Sequence, residues 1–90
     1  MKTIVKFEEK DNVAVVLVDS KENQEFCLGG EKIVSIEKIP YGHKIALQEM
    51  KKGDTVYKYG EPVARCTSDI EKGSWVHVHN VESIRGLGHR

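Results

Sequence analysis

Two of the four histidines of this chain stand two positions apart in the run Trp75-Val76-His77-Val78-His79-Asn80. Successive side chains of a β-strand point to opposite faces, so the run predicts a strand with His77 and His79 on one face and the valines on the other. Two neighbouring imidazoles followed by an amide can bind a metal, hold an anion or move a proton near neutral pH. The run is therefore the first candidate site.

Two shorter segments also combine residue types that bind anions. In Gly42-His43-Lys44, the glycine lets the backbone approach a ligand, while the imidazole and the ammonium can bind a carboxylate or a hydroxyl. In Tyr57-Lys58-Tyr59-Gly60, the tyrosines share one face of an extended segment and the Lys58 amine lies at its edge. The alternatives are a solvated turn for the first segment and an ordinary strand entering a turn for the second.

A metal centre needs more ligands than His77 and His79 supply. His43 could be a third ligand and Glu82 or Asp69 a carboxylate ligand, but no spacing in the sequence demands it. Three interpretations remain open: a metal site complete in this chain, a site shared with another protein, and a surface strand with two titrating histidines. The shared site is favoured, and the prediction for metal ligands in this chain is none.

Composition excludes several other classes of function. The 14 basic residues balance 14 acidic ones, so no large surface is expected to attract nucleic acid or an anionic membrane. No apolar run reaches the ~20 residues of a membrane helix, and no secretory signal precedes the strand-like Ile4-Val5-Lys6-Phe7. Cys27 and Cys66 lack CxxC spacing, which indicates free thiols and a cytoplasmic protein. Phosphate-binding loops and nucleophile-elbow motifs are also missing.

Short apolar runs separated by glycine turns position these candidates. The run 13–18 predicts a buried strand, and 26–28 and 33–36 predict two more. Residues 45–50 fit one or two helical turns or, equally well, a strand entering a turn. A repeat aligns 50–56 with 70–76, each copy with a Lys-Gly turn before a strand. We therefore predict one mostly β domain over 1–84 and a flexible C-terminal tail over 85–90.

Several of these motifs keep a common order and spacing. They are Gly42-His43-Lys44-Ile45-Ala46-Leu47, Lys52-Gly53, Val56-Tyr57-Lys58-Tyr59-Gly60-Glu61-Pro62, Asp69-Ile70, Gly73 and His77-Val78-His79-Asn80. Together they resemble the amino-terminal SAF domain of the altronate/galactarate dehydratase family, which includes the small subunit of sulfolactate sulfo-lyase. The resemblance implies a β-clip, a long hairpin folded on itself, with short 3-10 or helical turns.

The resemblance also implies an activity. The family removes water, or sulfite in the sulfo-lyase, from a hydroxy acid with a divalent metal, commonly iron, held mainly by a large domain or subunit that this chain lacks. Seven residues fall on motif positions facing a shared active site: His77, His79 and His43 as catalytic residues, and Lys44, Lys58, Gly60 and Asn80 as substrate-binding residues. Family members often carry histidine at position 75, where this chain has Trp75.

These implications lead to one hypothesis and one alternative. The chain is expected to be the small subunit of a cytoplasmic hydroxy-acid lyase, inactive alone and paired with a metal-binding large subunit. The imidazole and ammonium groups should then lie along one rim. The alternative is a non-catalytic module that binds a sugar acid or a peptide. The substrate stays open among sugar acids and sulfolactate, and exposed strand edges would make homo-oligomers easy to form.

Overall fold

Short β-strands make up the regular structure of this chain. The computed structural model describes residues 3–84, and every helix-or-strand element within that range is a strand. They are β1 Ile4–Val5, β2 Val13–Val16, β3 Glu25–Leu28, β4 Glu31–Val34, β5 Lys44–Ala46, β6 Thr55–Lys58, β7 Glu61–Cys66, β8 Trp75–Val76 and β9 Val81–Ser83. The predicted mostly β architecture is confirmed. The predicted tail over 85–90 lies outside the described residues.

The strands form three antiparallel sheets. The largest has the order β1-β2-β5-β8, β3 and β4 form a hairpin, and β9 extends the β6-β7 hairpin. In the largest sheet Ile45 lies opposite Ala14 on one side and Trp75 on the other, and Lys44 lies opposite Val76. This register brings the candidate residues of 42–44 beside those that begin at Trp75.

Two hydrophobic clusters sandwich the central strands. Neighbouring residues on one strand contribute to different clusters: Ala14 and Ile45 to the first, Val13 and Ala46 to the second. β2 and β5 are therefore buried on both faces, as the continuous apolar run over 13–18 predicts. Each buried Val or Ile side chain contributes about 1.5–3 kcal/mol to folding. The first cluster reaches the β3-β4 hairpin and the second the β6-β7 hairpin.

Four corner turns of the same design connect these strands, and the sequence repeat predicts only two of them. Each corner begins with a residue in an isolated antiparallel bridge and has its fourth residue at positive φ; a strand begins two residues later. The corner turns are 20–23, 39–42, 50–53 and 70–73. The first pairs with the second, and the third with the fourth. Met50 and Ile70, for example, exchange N–H···O bonds of 2.8 and 2.7 Å.

The sequence of residues 45–50 is compatible with a helix or a strand, and the structure shows that the segment begins in strand β5 and contains no helix. Ile45 is fully buried between two paired strands, and the Leu47 amide donates to the Asn12 carbonyl at 2.9 Å. Pairing on both sides outweighs the weak preference of so short a helix. The expected short 3-10 or helical turns are absent from residues 3–84, where the hydrogen-bonded corner turns take their place.

Two remaining expectations concern the thiols and membranes. Cys27 is exposed and Cys66 buried, and both are free. Within residues 3–84 no helix is long and apolar enough to cross a membrane.

Ser20 occupies the position that Ile39, Met50 and Ile70 hold in the other corner turns. It is 4% exposed, and its Oγ has no hydrogen-bond partner within the described chain. An unsatisfied buried hydroxyl is unfavourable, so we expect Ser20→Ala to raise the free energy of unfolding by about 1 kcal/mol. Urea unfolding measures this change.

Ser35 provides the matched control for that substitution. It is equally buried, but its Oγ donates to the Lys21 carbonyl and accepts from the Gln24 amide. Ser35→Ala should therefore lower stability by about 1–3 kcal/mol. A loss of stability in Ser20→Ala would contradict the prediction, because it would mean that this hydroxyl is also hydrogen-bonded.

Candidate functional site

The segment His77–Asn80 is a turn, and the prediction that it continues the strand is wrong. β8 ends at Val76; the amides of Asn80 and Val81 both donate to the His77 carbonyl, at 3.0 and 3.1 Å. The Asn80 side chain closes the turn, accepting from the His77 amide at 3.0 Å and donating to the Trp75 carbonyl at 2.9 Å. The predicted shared face of the valines is lost: Val76 is fully buried and Val78 is 80% exposed.

The turn nevertheless brings His77 to a groove that two of the predicted lysines also line. Lys44 enters from β5, Lys58 from β6 and His77 from the turn after β8, around a volume of about 480 Å³. Val63, Val78 and Val81 contribute apolar walls. We call this the cationic groove. Three of the seven predicted residues thus line one groove, and their role in binding or catalysis stays a prediction.

The cationic groove carries uncompensated positive charge. No Asp or Glu occurs among the described residues that line it, and neither Lys44 nor Lys58 forms an ion pair within residues 3–84. Burial, followed by the charge of Lys58, lowers the pKa of the Lys44 amine. Partial burial, followed by the charges of His43, Lys44 and His79, lowers the pKa of His77. Burial and neighbouring positive charge both disfavour the protonated forms of Lys44 and His77, and an anion in the groove would favour those forms.

His43 and His79 do not line the groove but join His77 around one indole. The Trp75 ring stacks on His77 with centroids 5.3 Å apart and an interplanar angle of 12°, and it contacts His79 at 5.4 Å. His43 meets His77 edge to face at 4.9 Å. The Trp75 Nε1–H donates to His43 Nδ1 at 3.2 Å. We call these four residues the imidazole cluster.

Gly60 and Asn80, predicted to bind substrate, have their polar groups engaged inside the protein. Gly60 lies in the β6-β7 turn at φ 74°, and its amide donates to Asp11 Oδ1 at 2.7 Å. The Asn80 amide group holds the turn after β8, as described above. Their observed contacts position Lys58 and His77.

Asp11 is a residue of the site region that the sequence did not indicate. Its buried carboxylate accepts the Glu8 and Tyr59 amides on Oδ2 at 3.1 and 3.0 Å, besides that of Gly60. Burial raises the pKa of Asp11, but these backbone hydrogen bonds outweigh it, so the pKa lies below its ordinary value. Asp11 thereby anchors the turn that follows Lys58. Its only sequence signal is an Asp-Asn pair just before a buried strand.

An exposed aromatic pair lies beside Lys58. The rings of Phe7 and Tyr59 have centroids 4.2 Å apart, and the Lys58 Nζ lies 5.3 Å from the Tyr59 centroid and 6.0 Å from that of Phe7. Tyr59 adopts φ 59°, which is uncommon for a residue with a side chain. The Asp11 bond to the Tyr59 amide holds that conformation.

The described residues do not fit a metal centre. No group of three or more His, Cys, Asp or Glu side chains within residues 3–84 is arranged to hold an ion. His43 Nδ1 is already the acceptor of the Trp75 indole, and Asp69 accepts the backbone amide of Lys52 at 2.9 Å. Glu82 pairs with Arg65. The side chains that meet in residues 3–84 have the groups needed to bind an anion or to transfer a proton.

Comparisons with known proteins place this geometry in context. The sequence matches the altronate/galactarate dehydratase SAF domain over residues 2–84. It is 37% identical to an altronate dehydratase of Bacillus subtilis (strain 168) over 92% of the chain, but spans only 17% of that protein. It is also 37% identical to the (2R)-sulfolactate sulfo-lyase subunit alpha of Paracoccus pantotrophus, over 79% of the chain and 98% of that subunit. A galactarate dehydratase (L-threo-forming) of Escherichia coli (strain K12) is 35% identical over 80% of the chain, and the chain spans 14% of that protein.

Proposed function

The chain belongs to the altronate/galactarate dehydratase SAF domain family, and we propose that it is the small subunit of a hydroxy-acid lyase. A separate large subunit would complete the active site. The proposal is supported by the likeness to a sulfo-lyase subunit alpha, which is 37% identical to the chain and matched over 98% of its length. The chain spans 17% and 16% of two altronate dehydratases. A role related to lyases follows from the family itself.

The cationic groove is the observation that carries the proposal. Lys44, Lys58 and His77 converge on it without an acidic residue among the described lining residues. Two ammonium groups beside an imidazole suit a carboxylate or sulfonate, since charge-assisted hydrogen bonds are the strong ones. The apolar walls lower the local dielectric and so strengthen the attraction. We propose that the anionic end of a hydroxy acid binds there.

His77 is the proposed proton-transfer residue, because it lines the groove whereas His79 packs outside it. Burial, followed by positive neighbours, lowers the pKa of His77 in the free protein, and a bound anion would raise that pKa and favour the imidazolium. In the proposed step a base of the large subunit would take the α proton, the double bond would form as the C–O bond to the β-hydroxyl breaks, and His77 would donate the proton with which that hydroxyl leaves as water. In this proposal the large subunit would hold the divalent metal, which we expect to be iron. The free thiols of Cys27 and Cys66 are compatible with a cytoplasmic protein.

Co-expression with a large subunit encoded in the same genome tests the proposal. We expect a stable complex that removes water from altronate or galactarate, or sulfite from sulfolactate, and no activity from this chain alone. Lys44→Met and Lys58→Met should each lower kcat/KM by about 10- to 100-fold, the range expected for a lost charge-assisted hydrogen bond. His77→Ala should lower kcat by about 100-fold or more.

Lys52→Met is the matched control for lost charge. Lys52 is exposed on the third corner turn and does not line the groove. It should leave turnover unchanged. Wild-type turnover in both groove lysine variants would overturn the assigned roles, and binding of the hydroxy acids without any turnover by the complex would instead support a binding module.

A further inference from the structure

We propose that Trp75 is a positioning residue that fixes the tautomer of His43, so that His43 acts on its surroundings as a hydrogen-bond donor. The inference deepens the proposed function, on which its catalytic meaning rests.

The hydrogen bond between the two rings carries the inference. An indole N–H can only donate, so the 3.2 Å contact from Trp75 Nε1 requires a lone pair on His43 Nδ1. In the neutral imidazole the proton must then reside on Nε2. His43 is left with one free polar atom, Nε2–H, which can donate to a substrate oxygen or to a group of the partner but cannot accept a proton.

The indole is held firmly enough to impose this orientation. The Trp75 amide donates to the Glu37 carboxylate at 3.0 Å, and its carbonyl accepts from the Asn80 side chain at 2.9 Å. Its ring packs against the first hydrophobic cluster and is stacked on His77. Because backbone and ring are both fixed, His43 must adapt to Trp75.

The arrangement gives His77 and His43 different roles in the proposed site. His77 lines the groove and exchanges a proton, while His43 stands behind it with a fixed N–H. A fixed donor costs no reorganisation when charge develops during a reaction, which is how preorganised donors accelerate catalysis. Phenylalanine at position 75 would keep a ring on His77 but release His43.

NMR of the full 90-residue chain, labelled with ¹⁵N, tests the inference without substrate or partner. At a pH above the titration of the histidines, long-range ¹H–¹⁵N correlations should show His43 as the Nε2–H tautomer. The Trp75 indole proton should show a hydrogen-bonded shift and slow exchange. In Trp75→Phe we expect His43 to become a mixture of both tautomers.

Tyr41→Phe is the matched control, because it removes an exposed aromatic donor two residues from His43. It should leave the His43 tautomer unchanged. An Nδ1–H tautomer of His43 in the wild-type chain would overturn the inference even if Trp75→Phe fails to fold, and so would an unaltered tautomer in that variant. In the complex with a large subunit, Trp75→Phe should lower kcat with little change in KM. Absence of turnover in the wild-type complex would count against the proposed function and leave the tautomer result standing.

Discussion

Replacing Gly73 by alanine should destabilise the domain by more than about 4 kcal/mol, whereas the same change at Gly53 should cost about 1–2 kcal/mol. The two glycines end equivalent corner turns and have nearly the same φ, 91° and 94°. The cost of a left-handed backbone for alanine is therefore shared by both variants. Any further loss must come from the surroundings.

Those surroundings differ sharply. A methyl group at Gly53 would meet open space, but at Gly73 it would overlap the carbonyl oxygen of Val34 and press on the Ile36 side chain. The Ile36 amide also donates to the Gly73 carbonyl at 3.0 Å. This close approach docks the end of β4 against the fourth corner turn, which leads directly into Trp75.

Urea unfolding can compare the two variants, with fluorescence of the single tryptophan and far-ultraviolet circular dichroism as probes. Gly53→Ala serves as the control for backbone strain. Failure of Gly73→Ala to fold at all agrees with the expectation. Equal stability losses in the two variants would refute the role assigned to the Val34 contact.

Asp11→Asn is the second substitution with a large expected effect, a loss of about 2–3 kcal/mol at pH 7. The carboxylate accepts three backbone amides on its two oxygens. An asparagine has one acceptor, and whichever way it is turned, its NH₂ group faces an N–H donor. The Tyr59–Gly60 turn would loosen, so the Lys58 position in the groove would become less defined.

The stability lost in Asp11→Asn should depend on pH in a defined direction. The pKa of Asp11 is lower in the folded than in the unfolded chain, so the carboxylate stabilises the fold above the unfolded pKa, about 3.9. That stabilisation disappears as the pH falls through the folded pKa. The difference between wild type and Asp11→Asn should thus be full at pH 7 and shrink below about pH 4.

Glu9→Gln controls for the loss of one negative charge from the same loop, because Glu9 is exposed. Unfolding curves of the three proteins from pH 7 to pH 2.5 give the comparison. A difference between wild type and Asp11→Asn that stays constant across this range would contradict the explanation by ionised hydrogen bonds.

Local patterns predicted the strands well but could not detect every corner turn. The repeat revealed the turns at Gly53 and Gly73, because both contain the same Lys-Gly step. Asn23 and Gly42 occupy the same positive-φ position in different sequence contexts, so no repeat is visible there. Asparagine adopts a positive φ at a modest energetic cost, so a search for glycine does not find the corner turn that ends at Asn23.

The candidate site shows a similar division. The motif positions include Lys44, Lys58 and His77, which line one groove in the structure, and their role there stays a prediction. Alternation failed at His77–Asn80, because the Asn80 side chain bonds back to its own turn and competes with strand pairing. Asp11 was missed since its partners at Tyr59 and Gly60 are remote in sequence, and residue type alone does not reveal such contacts.

Two turns contribute exposed side chains to the lining of the cationic groove. Val78 is 80% and Tyr59 57% exposed, and both stand beside the cationic groups outside the two hydrophobic clusters. Exchanging an exposed side chain such as Val78 usually alters the free energy of unfolding by no more than about 0.5 kcal/mol. If the cationic groove binds a hydroxy acid as proposed, substitutions at such positions would change its preference for one acid over another without compensating mutations in the interior.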